Sequence, residues 1–341
     1  MEPPQPSETG NIRVRQSSIP NLFVISYGTW FPYHLKFKSR WLFKLLMRRQ
    51  AELILAKMNV KPDLVWDFDN AYQYSDLRVF RAKLNVFHPV DNLPKDIVSS
   101  KFADVVFSNA QRYLDRMSSL PKFAKVIQHG VTREFLLRAS EVSKGQDHKF
   151  SKGASDAVKV GYVGNLKRPG IDWRIILKSC ELFPDVKFVF VGPYEDKENT
   201  GQVRVRRCEN VSFVGPKSTD EILEMSRDID VWFMAYDRER DIDGGTNPHK
   251  LLEYLATGKV VVTNWVESYC DSDLIIMPAT SSNVELPRIL GRAISELQVV
   301  NAPEERARRA RFTLGLGYDA HIIEIHKVLS KAIAFKMAKQ S

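Results

Sequence analysis

The stretch Asp243-Gly-Gly-Thr-Asn-Pro-His-Lys-Leu-Leu-Glu-Tyr-Leu-Ala-Thr-Gly258 reads as a glycine turn, a capped helix and a stop. Asn247 is a good N-cap, Pro248 suits the first helical position and Gly258 suits the C′ position. A helix start carries free N–H groups and the positive end of a dipole, so it can hold an anion. Lys250 adds a cation in the first turn. Glu253 follows Lys250 by three residues and His249 by four, which places all three on one face. Leu251, Leu252 and Leu255 can turn to a core. A phosphate at the helix start and a carboxylate one turn on, ready to accept sugar hydroxyls, would suit a nucleotide-sugar. An ordinary capped helix of an α/β domain has the same local pattern.

The residues on either side place this helix in an alternating series. Apolar strands are expected at 158–163, 186–191, 211–214, 231–235 and 259–263, several closed by glycine. Between them come the loop Gly164-Asn-Leu-Lys-Arg-Pro-Gly170, a helix capped by Asp172, and a capping box at Ser218-Thr-Asp-Glu221. Helices follow at 286–297 and 303–312, then an amphipathic segment at 318–338. The first half repeats the theme: strands at 21–26, 62–66, 82–87, 104–108 and 125–131, with a basic helix to about Lys57 and another around 110–117. Short apolar strands alternating with helices imply parallel sheets. The expected organisation is a disordered tail (1–18), a first Rossmann-like domain (19–140), a polar linker (141–157), a second Rossmann-like domain (158–317) and a final helix returning to the first domain (318–341).

Composition narrows the partners. The 341 residues carry a net charge of +9, which favours anionic ligands. No run of about 18 apolar residues signals a membrane span. The proline-rich start lacks the features of a signal peptide. Cys180, Cys208 and Cys270 show no metal-ligand spacing, which fits a reducing cytoplasm. No nucleic-acid module is recognisable, and no nucleic-acid partner is expected. Residues 31–50 hold Lys36, Lys38, Arg40, Lys44, Arg48 and Arg49 with no acid, interleaved with aromatic and aliphatic side chains. Such a surface can dock peripherally on an anionic membrane, or it is a helix with one face in the core and a solvated basic face.

The 243–258 stretch resembles the donor-binding motif of GT-B glycosyltransferases, especially the retaining glycosyltransferase family 4. Asn247, Pro248, Lys250, Glu253 and Tyr254 carry the likeness, together with the Gly-Lys-Val-Val-Val strand that follows. The resemblance covers roughly residues 20–335 and is weaker in the first half. It implies a GT-B fold, with two Rossmann-like domains whose parallel sheets face a central cleft. It implies a transferase that takes a nucleoside-diphosphate sugar as substrate, needs no cofactor, and acts on a glycan or lipid-linked acceptor in polysaccharide or glycoconjugate synthesis. Glu253 would then hold the ribose. Many members carry a second Glu eight positions earlier, where this chain has Gly245, so retention is less secure than donor binding. Backbone groups of Gly244, Gly245 and Thr246 can replace some of the contacts. Family members also open with a strand and a glycine-rich loop that this chain is expected to lack.

The remaining candidates sit at strand ends, where parallel α/β sheets bind ligands. Gly164 and Asn165 allow close backbone approach to a phosphate, and Lys167 or Arg168 can neutralise a diphosphate. With Lys250 these cations can serve a departing nucleoside diphosphate, so no essential metal is expected. On the acceptor side, Asp91 can orient or deprotonate a hydroxyl, and His88 and Asp69 can line the cleft. His129 precedes Gly130 at the domain junction and is a candidate acid or base, or a structural histidine. Asp67-Phe-Asp69 also fits a metal-binding Asp-x-Asp of a GT-A enzyme. Two alternatives keep the fold: a nucleotide-sugar-binding scaffold of weak activity, and a sugar-nucleotide epimerase.

Overall fold

The computed structural model describes residues 10–68, 73–89, 99–147, 157–195, 201–237 and 248–339. The chain divides into two units, Met1–Ile127 with Ile325–Ser341, and Gln128–Glu324.

The first unit opens with a hairpin, β1 (Ile12–Gln16) antiparallel to β2 (Phe23–Tyr27). Asn21 turns the chain with φ 62°. Residues 12–16 were expected within a disordered tail, and β2 was expected in the parallel sheet. Both expectations fail for one reason. Arg13 and Arg15 mask a strand whose partner is the edge of β2, while Ile25 and Tyr27 pack on Ile54 beneath the hairpin.

After the short α1 (Leu35–Lys38), α2 (Arg40–Met58) buries Phe43, Met47, Gln50, Ala51 and Ile54 along one face, the periodicity of an amphipathic helix. Strands β3 (Leu64–Asp67), β4 (Leu84–Phe87), β5 (Val105–Ser108) and β6 (Phe123–Val126) form a parallel sheet in that order, with α3 (Gln111–Asp115) between the last two.

The second unit begins with α4 (Arg133–Ser143), then β7 (Lys159–Val163), α5 (Trp173–Leu182), β8 (Lys187–Val191), α6 (Gly201–Arg206), β9 (Val211–Phe213), α7 (Thr219–Asp228), β10 (Val231–Met234), α8 (Lys250–Ala256) and β11 (Val260–Thr263). Helices α9 (Leu286–Ser295), α10 (Leu297–Val300), α11 (Pro303–Leu314) and α12 (Tyr318–Ala338) complete the chain. The five parallel strands run β11-β10-β7-β8-β9, the doubly wound order with its reversal beside the first strand of the unit. The capping box is present: Glu221 N–H donates to Ser218 Oγ at 3.3 Å and Ser218 N–H donates to Glu221 Oε2 at 2.8 Å.

Helix α4 falls across the expected boundary at 140. It belongs to the second unit because Phe135, Ala139 and Val142 bury against Leu252, Ala256 and Ala310. From Ile325 onward α12 packs in the first unit, with Ala332, Val328 and Leu329 against Leu84, Val86 and Phe107. Lys336 pairs there with Asp104 at 2.7 Å.

Beneath α8 and β11 lies a buried polar network. Asp147 pairs with Arg138 and Arg306. Arg309 donates to the Gly258 carbonyl at 2.9 Å and fixes the stop of α8. Lys259 is fully buried, and its Nζ donates to the Arg227 carbonyl at 3.2 Å. Burial, then Arg306, pushes its pKa down to about 7 against the opposing pull of Asp230 and Asp147. The unfolded chain holds this proton up to about pH 10.5. Between those values the unfolded state binds more protons, so this group makes stability rise with pH from about 7 to about 10.5. Below about 7 its penalty is full. Lys259→Met is expected to stabilise the protein below about pH 7, by on the order of a few kcal/mol, and to flatten the alkaline rise. Melting temperature against pH for both proteins checks this.

Candidate functional site

The second unit brings two sequence motifs together at the carboxyl end of its sheet. The first is the loop after β7. Gly164 N–H donates to the Val191 carbonyl at 2.9 Å and Leu166 N–H to the Pro193 carbonyl at 3.0 Å. Asn165 Oδ1 accepts from Lys167 N–H at 3.0 Å, closing an Asx turn. Farther along, Asp237 N–H donates to the Gly170 carbonyl at 2.8 Å. The loop is thus fastened to the ends of both β8 and β10, while Asn165, Lys167 and Arg168 remain exposed. The Arg168 guanidinium lies 5.2 Å from the centre of the Tyr236 ring.

The second motif is α8. Helical structure starts at Lys250, with His249 as an N-cap that makes no side-chain cap bond. Pro248 therefore precedes the helix rather than occupying its first position, and Asn247, the expected cap, lies outside the described residues. Pro248 and His249 carbonyls accept from Leu251 and Leu252 N–H groups three residues on, a tight turn that delays the α-helical ladder. Gly258 does end the helix, with φ +75° and its N–H on the Leu255 carbonyl at 2.9 Å.

Tyr254 couples the two motifs. Its ring stacks on Trp232 with centroids 4.4 Å apart. Its hydroxyl accepts from Val163 N–H at 2.8 Å and donates to the Val163 carbonyl at 3.1 Å. The last residue of β7 is thereby clipped to the middle of α8. On the same helix Lys250 Nζ and Glu253 Oε2 pair at 2.9 Å, both half-buried. His249 sits among charges: its burial, then Lys250, with a further push from Arg168, outweighs Glu253 and holds its imidazole below the usual histidine range. Together these surroundings favour the neutral over the charged imidazole. The His129 ring lies 5.8 Å from the His249 ring, and the His129 carbonyl is 3.2 Å from His321 Nε2.

Of the sequence candidates, Gly164, Asn165, Lys167, Arg168, His129, Lys250 and Glu253 all fall in this unit. His88 lies in the first unit at the end of β4, its ring 5.2–5.8 Å from those of Phe68, Trp66 and Phe107. Asp69, Asp91, Gly244, Gly245, Thr246 and Asn247 lie outside the described residues. His249 entered the sequence reading only as sharing a face with Lys250 and Glu253, with no role assigned, and Tyr236 did not enter it. Tyr236 gave no local signal, because its neighbours come from far along the chain. Among the described residues no three His, Cys, Asp or Glu side chains gather as a metal site.

The architecture is GT-B: Rossmann-like α/β units built on parallel sheets, shared with solved glycosyltransferase structures. HepE from Anabaena, crystallised in complex with UDP and glucose, superposes with a TM-score of 0.58 over 89% of this chain and 84% of that one, at 16% identity. Sucrose-phosphate synthase from Thermosynechococcus elongatus gives a TM-score of 0.64 over 96% and 87%, at 12% identity. The α,α-trehalose 6-phosphate synthase of Burkholderia multivorans gives 0.63 over 96% and 90%, at 15% identity. At these identities the likeness is one of fold. In sequence, the chain is similar to a putative teichuronic acid biosynthesis glycosyltransferase, TuaH, of Bacillus subtilis, 28% identical over 136 residues. That match covers 40% of this chain and 33% of the relative, so it spans about a third of the relative's length. No protein-family model matches the chain.

Proposed function

We propose that the chain is a glycosyltransferase that moves a hexosyl group from a nucleoside-diphosphate sugar to a hydroxyl of a glycan or lipid-linked glycan. The observation that carries this reading is the Tyr254 clip, which ties α8, bearing Lys250 and Glu253, to the end of β7, from which the glycine loop with Lys167 and Arg168 runs. Glu253 accepts the ribose hydroxyls. Lys250 and Arg168 or Lys167 offset the charge that grows on the departing diphosphate, so the reaction proceeds without an essential metal. Interactions that strengthen as that charge develops lower the barrier. The imidazole of His249 adds a hydrogen-bonding group there, and the cations around it disfavour its charged form. His129 stands beside it as a candidate for handling a proton, and Asp91 remains the sequence candidate for orienting the acceptor hydroxyl.

Two likenesses support the substrate class. HepE has been solved with UDP and with UDP-glucose, and TuaH is named for teichuronic acid biosynthesis. Retention of the anomeric configuration follows the family-4 likeness. The basic, aromatic surface of residues 31–50 suits work at the anionic, cytoplasmic face of a membrane, where lipid-linked acceptors reside. No helix among the described residues is long and apolar enough to cross a membrane.

The test is thermal stabilisation of the whole chain by UDP, GDP, ADP and TDP, with and without Mg²⁺. A ligand that binds only the native state raises stability by RT ln(1 + [L]/Kd), about 2.7 kcal/mol at a hundredfold excess over Kd. One nucleotide is expected to shift the melting temperature equally in both conditions. No shift with any of them would overturn the donor-site reading.

A further inference from the structure

The exposed side of α2 is not a plain solvated face. Trp41 and Leu45 lie four residues apart on it, 71% and 57% exposed, and Phe37 of α1 precedes them at 81%. Exposed aromatic and aliphatic side chains at helical spacing form a stripe that water does not favour. Lys44 and Arg48 flank the stripe, and neither forms an ion pair with another described residue.

Beside the stripe is a cavity of about 570 Å³, whose apolar lining comes from Trp41, Leu45, Met47, Val79 and Phe102. The exposed Lys44 and Arg48 also line it, with one acid, Asp76. That carboxylate is already engaged: Arg78 holds it with Nε and Nη2, each at 2.8 Å, and the Arg78 guanidinium lies 4.3 Å from the Phe102 ring centre. The lining therefore joins a positive balance to an apolar pit. Gln73 and Tyr74 at the back are locked onto Tyr27, with Gln73 Oε1 accepting from the Tyr27 hydroxyl at 2.8 Å. The pit is thus a shaped wall of the unit.

We infer that this cavity seats one phosphorylated lipid of an anionic bilayer, its phosphate between Lys44 and Arg48 and the start of its chain against Trp41, Leu45 and Val79. Charge complementarity picks the phosphate, and the apolar pit picks a chain over a free ion. The seat rests on the membrane-surface reading above and adds a single-lipid site built partly from residues 73–79 and Phe102, outside the 31–50 segment.

The test uses the full chain and short-chain dihexanoyl phosphatidic acid below its micelle concentration, followed by tryptophan emission and calorimetry. Saturable binding of one lipid per chain is expected, with a blue shift that is absent in Trp41→Phe. Inorganic phosphate and dihexanoyl phosphatidylcholine are expected not to bind. Val79→Trp, which fills the pit, should abolish binding. Lys44→Glu with Arg48→Glu, both at exposed positions that folding tolerates, should weaken it roughly 30-fold or more, the loss expected for two cations removed from an anionic surface. Binding equal to that of inorganic phosphate, or binding unmoved by the double charge reversal, would overturn the seat. Nucleotide-induced stabilisation of the same preparations reads the donor site independently. Flotation of wild type on anionic vesicles reads membrane docking, so a failed seat is told apart from failure of either.

Discussion

Gly192→Ala is expected to lower stability by about 3 kcal/mol or more and to remove nucleotide binding from whatever protein still folds. Gly192 follows β8 at φ +137°, a conformation that L side chains rarely adopt. A Cβ there would stand 1.8 Å from the Gly164 carbonyl oxygen and 2.9 Å from its carbon. Those are backbone atoms, so no side chain can swing aside. Nor can the backbone yield cheaply. Gly164 N–H is bonded to Val191 and Gly192 N–H to the Gly215 carbonyl, each at 2.9 Å. Three strand ends are laced together at this point, and the loop that carries Lys167 and Arg168 is one of them.

Gly215→Ala supplies the control. Gly215 also has a positive φ, +76°, but a Cβ there meets nothing within 4 Å. Its replacement should cost only the backbone term, about 1–2 kcal/mol. For a unit of this size about 1 kcal/mol moves the melting temperature by roughly 2–4 °C. Gly192→Ala should therefore melt well below Gly215→Ala. If the two melt together, the close approach of β7 and β8 is not what makes Gly192 necessary.

The unevenness of what could be read beforehand has physical causes. In the second unit the strands are covered on both faces, so they appear as continuous apolar runs such as Val260–Thr263, bounded by glycine. Those runs and the Ser218 capping box are local patterns and were legible. Strand β1 was not, because a hairpin edge with Arg13 and Arg15 outward looks like a polar tail. Helix α4 carried a usable signal in Phe135, Ala139 and Val142, but the spacing was overlooked beside the polar stretch that follows it. Helix α6, with Val203 and Val205 alternating with arginines, has the period of a strand.

At the site, the shared face of Lys250 and Glu253 followed from their three-residue spacing. Their mutual ion pair was not expected, because the sequence reading gave the two side chains to separate ligand groups. The bonds of Tyr254 to Val163 join residues 91 apart, and the contact of Tyr162 with Tyr236 spans 74. No local pattern encodes such pairs. They follow only from the strand order, which places β7 at the centre of the sheet.

The ion pair between Lys250 and Glu253 makes Glu253→Gln the most informative change to the proposed donor site. If Glu253 accepts ribose hydroxyls, the amide keeps the shape but loses a charge-assisted acceptor, worth about 1.5–3 kcal/mol. Affinity for nucleoside and nucleoside diphosphate should then fall together, by about 10- to 100-fold. If Glu253 serves only to anchor Lys250, the result separates the two ligands. Freed from its partner at 2.9 Å, Lys250 could turn fully to the diphosphate, so UDP would bind as well as before or better while uridine stayed unchanged. Calorimetric titration of uridine and UDP into wild type, Glu253→Gln and Lys250→Met distinguishes these cases. Lys250→Met should weaken UDP and spare uridine under either role. A Glu253→Gln protein that binds uridine as wild type does would remove the ribose from Glu253 and leave α8 as a holder of phosphate alone.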